Sequence, residues 1–600
     1  MTPRVSPRIP EGLLYALTVF GPFAFGCVEP WSRAALETLA FLLALACFLR
    51  GRPAASPAGA GFWIFAAAFA AAGALQLQTL AAPDGPRPWG LFTAAPHATG
   101  DAVLLWLAYA AVLWSVPRII VTHEAARRYT RFLFGLGLVL AVFGLAQAMT
   151  SPDKLYWVRA APRAGFGPYY NRDHAANILL MSMAVGIGII YSRLLSWRTV
   201  DGPPRGYLRS QGLLAGGILF LFSGIIACTS RGALLAMPLA GCALAFFGAD
   251  FAKGASRRRA RAAAALAVAA VLVFLVFQYV GAGADAGARM EESLRGRFSI
   301  YGDSRRWWRD TPLFGTGLGS FETIYPAYQD FELRARVSHA HSDWLEIALE
   351  GGLLGLLAAL AAAGLAAFVS VRAWRAARSS EMRALIAGGL AAAAAFSVHS
   401  LFEFCFQIPG NAVVFLGIVG FLLSAPSWAD KADDGVRSRP PAAGLALLAT
   451  ACFLILAQAA VRPAAAAWLA STAGDSRERA AGAARALALD DDPAYLKKLS
   501  WIYGEPGGGG RAGNEALRAA LAYSLAAAEL RPFDTDALRF AGMSLIGLAR
   551  PADGRALVAE SRMIEFPPIA PIYPDVAADY KRKLEQLRAF ADLSWKPVKK

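Results

Sequence analysis

The fold class this sequence predicts is an all-α, polytopic membrane bundle, and three observations carry it. Of 600 residues, 56 % are hydrophobic and only 17 % charged, against roughly a quarter charged in a soluble domain. Apolar runs recur at about 20 residues, the length that crosses a hydrocarbon core of about 30 Å as a helix. The basic residues concentrate in alternate short loops between those runs, as the lysine and arginine bias of membrane topology requires. The mean hydropathy of +0.42 excludes a disordered chain.

Thirteen candidate spans follow in order, near residues 12–28, 34–49, 60–80, 101–117, 132–149, 175–195, 213–229, 232–249, 262–283, 346–370, 384–402, 410–425 and 442–461. The first run lacks a small-residue cleavage site after it and is read as a retained helix. With Arg4 and Arg8 in the cytoplasm, the inner loops hold Arg50 and Arg52, Arg127 and Arg128, Arg193 and Arg198, Arg257 to Arg259, Arg372 and Arg375, and Arg437 and Arg439. One orientation then satisfies the whole chain, and the odd span count places the C-terminal tail outside. The outer loops are poor in cations except for two, near 150–174 and 284–345. The first holds Arg163 and Arg172, the second Arg297, Arg305, Arg306 and Arg309. Arginines gathered on the outer side of a bilayer suit an anionic ligand.

Residues 1–461 therefore read as the membrane domain, with a large outer loop at about 284–345. Residues 462–600 read as an outer helical tail. Two stretches of the tail look alike, one from Ala486 through Pro493 to Tyr503 and one from Ala527 through Pro532 to Leu548. They resemble degenerate tetratricopeptide-type helix pairs and suit docking of a protein partner. The net charge of +16, from 59 basic and 43 acidic residues, is topology signal rather than a nucleic-acid footprint, because no basic tail with interleaved aromatics is present. All six cysteines lie in or beside apolar runs without a Cys-x-x-Cys pair, which leaves neither a disulfide framework nor a zinc knuckle.

Four segments carry candidate chemistry, all of them on the outer side. Val337-Ser338-His339-Ala340-His341-Ser342-Asp343-Trp344-Leu345-Glu346 opens a membrane helix and sets His341 at the bilayer surface. A neutral imidazole there can take a proton from a sugar hydroxyl, with Asp343 or Glu346 to orient it. Thr229-Ser230-Arg231-Gly232 is a minimal turn between two spans. A guanidinium at such a tip is costly without an anionic partner, and its planar fork matches a phosphate. In the third segment Arg297, Tyr301, Arg305 and Arg309 step by four and would share a helix face. The Gly315-x-Gly317-x-Gly319 after it lacks the strand–turn–helix setting and lysine of a phosphate-binding loop and reads as a tight turn. The fourth runs from Gly165 to Ala175 and offers Asn171, Arg172 and His174, just beyond Arg163, to a pyrophosphate or sugar.

Together these motifs resemble the O-antigen ligase and O-antigen polymerase family of bacterial envelope glycosyltransferases. The resemblance covers most of residues 10–425. It includes Phe25-Gly26-Cys27-Val28-Glu29-Pro30-Trp31, the approach to a span at Asn171, and Ser230-Arg231-Gly232. It continues with Arg297 followed by Pro312-Leu313-Phe314-Gly315-x-Gly317, His341-Ser342-Asp343-Trp344-Leu345 and His399-Ser400-Leu401-Phe402-Glu403-Phe404. Ser342 stands where the family usually has Asn, and Asp173 where a second Asn is common.

The resemblance implies a metal-independent, cofactor-free transfer of a glycan from undecaprenyl diphosphate at the periplasmic face of the bacterial inner membrane. The acceptor would be a second glycan or a lipid A core. Arg231 and Arg297 would hold the diphosphate and His341 would activate the acceptor hydroxyl. Arg305, Arg163, Arg172, Asn171 and His339 would contact substrate, and either Arg297 or Arg305 could be the second diphosphate ligand. Lipopolysaccharide ligation, polysaccharide polymerisation and protein glycosylation share these motifs. A transporter or flippase of an anionic lipid-linked substrate is the reading from another class. It expects charges near the bilayer midplane and two repeated halves, neither of which the sequence shows.

Overall fold

The computed structural model describes residues 8–51, 95–160, 165–197, 207–238, 283–329, 337–428, 443–471, 475–490, 492–504, 514–530 and 535–548, with single positions at 6, 93, 241 and 555. The expected spans at 60–80 and 262–283, and most of 232–249, lie outside the described residues, as does Arg163.

Nearly every described segment is helical. In chain order the helices are α1 (Arg8–Phe23), α2 (Pro30–Arg50), α3 (Pro96–Ile119), α4 (His123–Thr150), α5 (Arg172–Trp197) and α6 (Tyr207–Cys228). After them come α7 (Gly283–Asp310), α8 (Asp343–Ala376), α9 (Ser380–His399), α10 (Pro409–Trp428) and α11 (Ala443–Ala470). The tail supplies α12 (Ser476–Leu489), α13 (Pro493–Gly504), α14 (Asn514–Leu530) and α15 (Thr535–Gly547). A two-residue hairpin of β1 (Lys154–Leu155) and β2 (Arg159–Ala160) is the one sheet among the described residues.

Among the described residues, nine helices are long and apolar enough to cross a membrane: α2 to α6 and α8 to α11. The first expected span is instead a 16-residue helix, α1, which passes through Ala24 into a 3-10 turn at Phe25–Cys27. Helices α5 and α10 are the most enclosed, whereas α8 and α11 turn Leu357, Phe368, Leu447 and Ile455 outward, as helices long and apolar enough to face lipid do. Contact between α5 and α9 depends on small residues: a Cβ built on Gly188 would stand 2.8 Å from the Cα of Gly388, so the two backbones touch.

The described part of the segment expected as a long loop at 284–345 is largely helical. Its first half is the 28-residue helix α7, and a one-turn helix, Phe321–Ile324, follows. Trp307 of α7 packs with Phe321 and Tyr325 into a small core against the start of α8. The glycine triad is indeed a turn, with φ of +68° at Gly315, +104° at Gly317 and +73° at Gly319. It wraps a break in α8 at Gly352, where φ is +65°. The break frees backbone groups, and the turn meets them. Thr316 and Gly317 donate N–H to the carbonyls of Leu349 and Glu350, and the amides of Leu353 and Leu354 donate to Pro312 and Leu313. The nine residues of α8 ahead of Gly352 are thereby a separately held segment.

Candidate functional site

One end of the bundle gathers the chemistry. The start of α5, the tip after α6, the middle of α7, the strand-like approach to α8 and the turn between α9 and α10 all meet there. Each arrives by a distinct local device. Asn171 caps α5, its Oδ1 accepting the Asp173 amide at 2.9 Å, which leaves Arg172 exposed on the first helical turn. After α6 the chain turns at Thr229, with φ of +50°, and Ser230 caps the next helix by accepting the Ala233 amide at 3.3 Å. Arg231 opens that helix on its exposed side. Gly232 is required by what it faces, since a Cβ there would lie 2.7 Å from Nε2 of His399.

Glu403 is the centre of the site. It lies in the α9–α10 turn with its carboxylate 2 % exposed, and its two oxygens serve two different partners. Oε1 accepts from Arg297 of α7, and Oε2 faces Nδ1 of His341 at 3.4 Å. Burial alone would raise the Glu403 carboxyl; the His341 hydrogen bond and the charges of His341 and Arg297 outweigh it and hold the group down to about 2. A carboxylate on Nδ1 fixes the tautomer that leaves Nε2 open as the basic nitrogen, on a ring still 34 % exposed.

His341 also sits in a left-handed backbone conformation, φ +51°, which costs a residue with a Cβ about 1–2 kcal/mol. Tyr301 of α7 donates its hydroxyl to the His341 carbonyl at 3.3 Å. Phe404, next to Glu403, forms the floor: His339 stacks on it at 4.3 Å, while His174 and His341 meet it edge-on at 4.8 and 5.2 Å. His339 is held by Glu346, with Nδ1 2.9 Å from Oε1. Burial lowers its affinity for a proton, but the charge and hydrogen bond of Glu346 reverse this and raise its pKa above the ordinary imidazole value. Deeper, a chain of buried amides runs from the Tyr169 hydroxyl to Asn411 Oδ1, from Asn411 Nδ2 to Asn177 Oδ1, and from Asn177 Nδ2 to His399 Nδ1.

The charge balance favours an anion. Among the described residues, neither Arg172 nor Arg231 has an acidic partner within ion-pair distance. The Arg231 guanidinium is pushed below its ordinary value by burial and then by the like charges of Arg297 and Arg172, with Asp173 opposing. Three guanidinium groups thus share one small volume with the Asp173 and Glu403 carboxyls. No three His, Cys, Asp or Glu side chains among the described residues converge as metal ligands.

The structure brings His341, Arg231, Arg297, Arg172 and His339 together. Arg305 stays apart: it is exposed on α7, two turns and about 12 Å along the axis from Arg297, so Arg297 is the α7 arginine at the cluster. Asn171 spends its side-chain oxygen on the α5 cap. The expected orienters of His341 are corrected. Glu346 binds His339, and Asp343 accepts the Phe406 amide at 2.9 Å. Glu403 takes the orienting place; the sequence offered it within the His399-Ser400-Leu401-Phe402-Glu403-Phe404 motif but gave it no role.

A family model described as O-antigen ligase matches residues 216–360. That segment carries Ser230-Arg231-Gly232, Arg297, the glycine turn and His339 to His341, and it ends before Glu403. No curated protein matches the chain. The match supports the O-antigen ligase resemblance and, in general terms, a membrane-embedded enzyme of glycan transfer.

Proposed function

We propose that this protein transfers a glycan from undecaprenyl diphosphate to an acceptor hydroxyl at the periplasmic face of the inner membrane, as an O-antigen ligase or polysaccharide polymerase. The observation that carries the reading is one carboxylate, Glu403, shared between the imidazole of His341 and the guanidinium of Arg297, beside the unpaired Arg231 and Arg172. Nε2 of His341 takes the acceptor O–H proton as that oxygen attacks the anomeric carbon. The bond from that carbon to the diphosphate oxygen breaks, and its electron pair leaves with the lipid diphosphate. Charge on the leaving group rises, and Arg231 and Arg297, with Arg172 at hand, stabilise it. Glu403 stabilises the imidazolium that forms. Neither step calls on a metal ion.

Clustering of the charges at the end of the bundle, rather than at mid-depth, favours transfer over transport. The tail, residues 462–600, is the part suited to a protein partner through its tetratricopeptide-like helix pairs. The decisive experiment is reconstitution with an undecaprenyl-diphosphate glycan and candidate acceptors, with and without EDTA. Transfer that survives chelation and requires His341 and Arg231 is expected. Loss of transfer on chelation, or full activity of both alanine variants, sinks the mechanism.

A further inference from the structure

We propose that Glu346 is a positioning residue for His341: its carboxylate grips the two residues before His341 and holds the left-handed backbone that turns the imidazole onto Glu403. The inference rests on the reading of His341 as the proton acceptor.

The geometry separates this role from ordinary helix capping. Helix α8 already has its cap, because the Ser342 hydroxyl accepts the Leu345 amide at 3.4 Å. A capping carboxylate would turn back to the amide of Ser342. Glu346 instead reaches past it. Oε2 accepts the Ala340 amide at 2.9 Å and Oε1 faces Nδ1 of His339 at 2.9 Å. Both bonds fall on the segment that delivers His341, and neither serves the helix on which Glu346 sits.

Three further contacts make the grip specific. His339 lies flat on Phe404, and His341 meets the same ring edge-on, so fixing His339 fixes the ring against which His341 is set. The Tyr301 hydroxyl holds the His341 carbonyl. Glu350, one turn along α8, does the equivalent for the neighbouring turn, accepting the amides of Gly319 and Phe321 at 2.8 and 2.9 Å. Two buried carboxylates on one face of α8 thus anchor two separate loops. A buried carboxylate is tolerable only when donors meet it, and Glu346 has a ring N–H and a backbone N–H. Without them the 339–341 segment loses the bonds that offset its left-handed turn, and Nδ1 of His341 drifts from Glu403.

The test compares kcat and KM for the lipid-linked donor in reconstituted enzyme, per folded protein. Glu346→Ala is expected to lower kcat about 10²-fold, the scale of a misplacement of about 1 Å, at unchanged KM because the arginines are untouched. Glu346→Gln keeps the shape and one acceptor oxygen but not the charge facing His339, and is expected to fall about ten-fold. If the alanine variant does not fold, the glutamine variant decides, and kcat within about two-fold of wild type overturns the proposal. A second arm uses His341→Ala with imidazole added as the base. Removing Glu346 in that background is expected to change nothing; a further loss shows that Glu346 acts elsewhere and overturns the proposal. An active His341→Ala enzyme without imidazole removes the mechanism itself. An inactive one beside a fully active Glu346→Ala removes only this inference.

Discussion

Two buried acids in this molecule do nearly the same thing with different results. Glu403 bridges His341 and Arg297. Asp490, at the end of α12, bridges His97 of α3 at 3.1 Å and Arg462 of α11 at 3.4 Å through one oxygen. Each combines a carboxylate, an imidazole and a guanidinium. Around Asp490 the charges balance, since His97 also faces Asp101 at 3.8 Å, and His97 lies within a regular helix. Around Glu403, Arg172 and Arg231 have no acidic partner within ion-pair distance among the described residues, and the histidine is held in a strained backbone with an open nitrogen. The same three residue types thus make a strut in one place and a reactive centre in the other. Surplus charge, backbone strain and access separate the two.

The largest effect expected from that comparison is at the histidines. His341→Ala should lower transfer by about 10²–10⁴-fold, the usual worth of a positioned general base. His97→Ala should stay within about two-fold, because the His97 ring is engaged by Asp490 and Asp101, acids of the fold. Glycan product measured on a gel from matched vesicles checks both. Equal losses would show that the Glu403 cluster has no special standing.

Next come the guanidiniums. Arg231→Ala should cost about 10²–10³-fold in kcat, as removal of a donor aimed at developing charge does. Arg231→Lys should recover only part, because an ammonium cannot offer two parallel donors. Arg462→Ala should leave kcat unchanged. A lysine variant at full rate would mean that bulk positive charge, and no fixed geometry, handles the leaving group.

A smaller effect separates the two acids by pH. Glu403 is held down to about 2, so its stabilisation, on the order of 3 kcal/mol, is complete above about pH 4.3 and lost as pH falls towards 2. Asp490 is also lowered, by His97 and Arg462 against its burial, and loses its share in the same direction but to a lesser extent. The thermal midpoint of wild type should therefore drop on acidification below about pH 4. Glu403→Gln should flatten that drop more than Asp490→Asn does. The reverse order would overturn the assignment of Glu403 as the more strongly held anion.

Much of this was legible in the sequence because hydrophobic periodicity and charge placement act locally. Apolar runs marked the nine described helices long and apolar enough to cross a membrane, and Arg231, Arg297 and His341 stood out as charged or titratable groups beside them. What stayed hidden depends on chain contacts across long separations. Glu403 lies 62 positions from His341 and 106 from Arg297, and no spacing rule links them. Arg305 and Arg297 were equivalent by helical period; only the packing of α7 distinguishes them. Glu346 was legible as an acid near His341, but which of two histidines it holds is decided by a backbone turn at φ +51° that no local pattern encodes.

The smallest expected effect concerns the strut itself. Asp490→Asn keeps the side-chain volume and one acceptor oxygen but removes the charge between His97 and Arg462. Because the pair joins α3 to the end of α12, its weakening should loosen the tail against the membrane helices while α12 to α15 keep their own apolar cores. Amide hydrogen exchange should then speed up at the end of α12, with kcat within about two-fold of wild type. The variant reads the two acids against each other directly. If Asp490→Asn slowed transfer as much as Glu403→Gln, charge balance would not be what distinguishes a strut from a site, and the tail would have to act on the chemistry through His97 and α3.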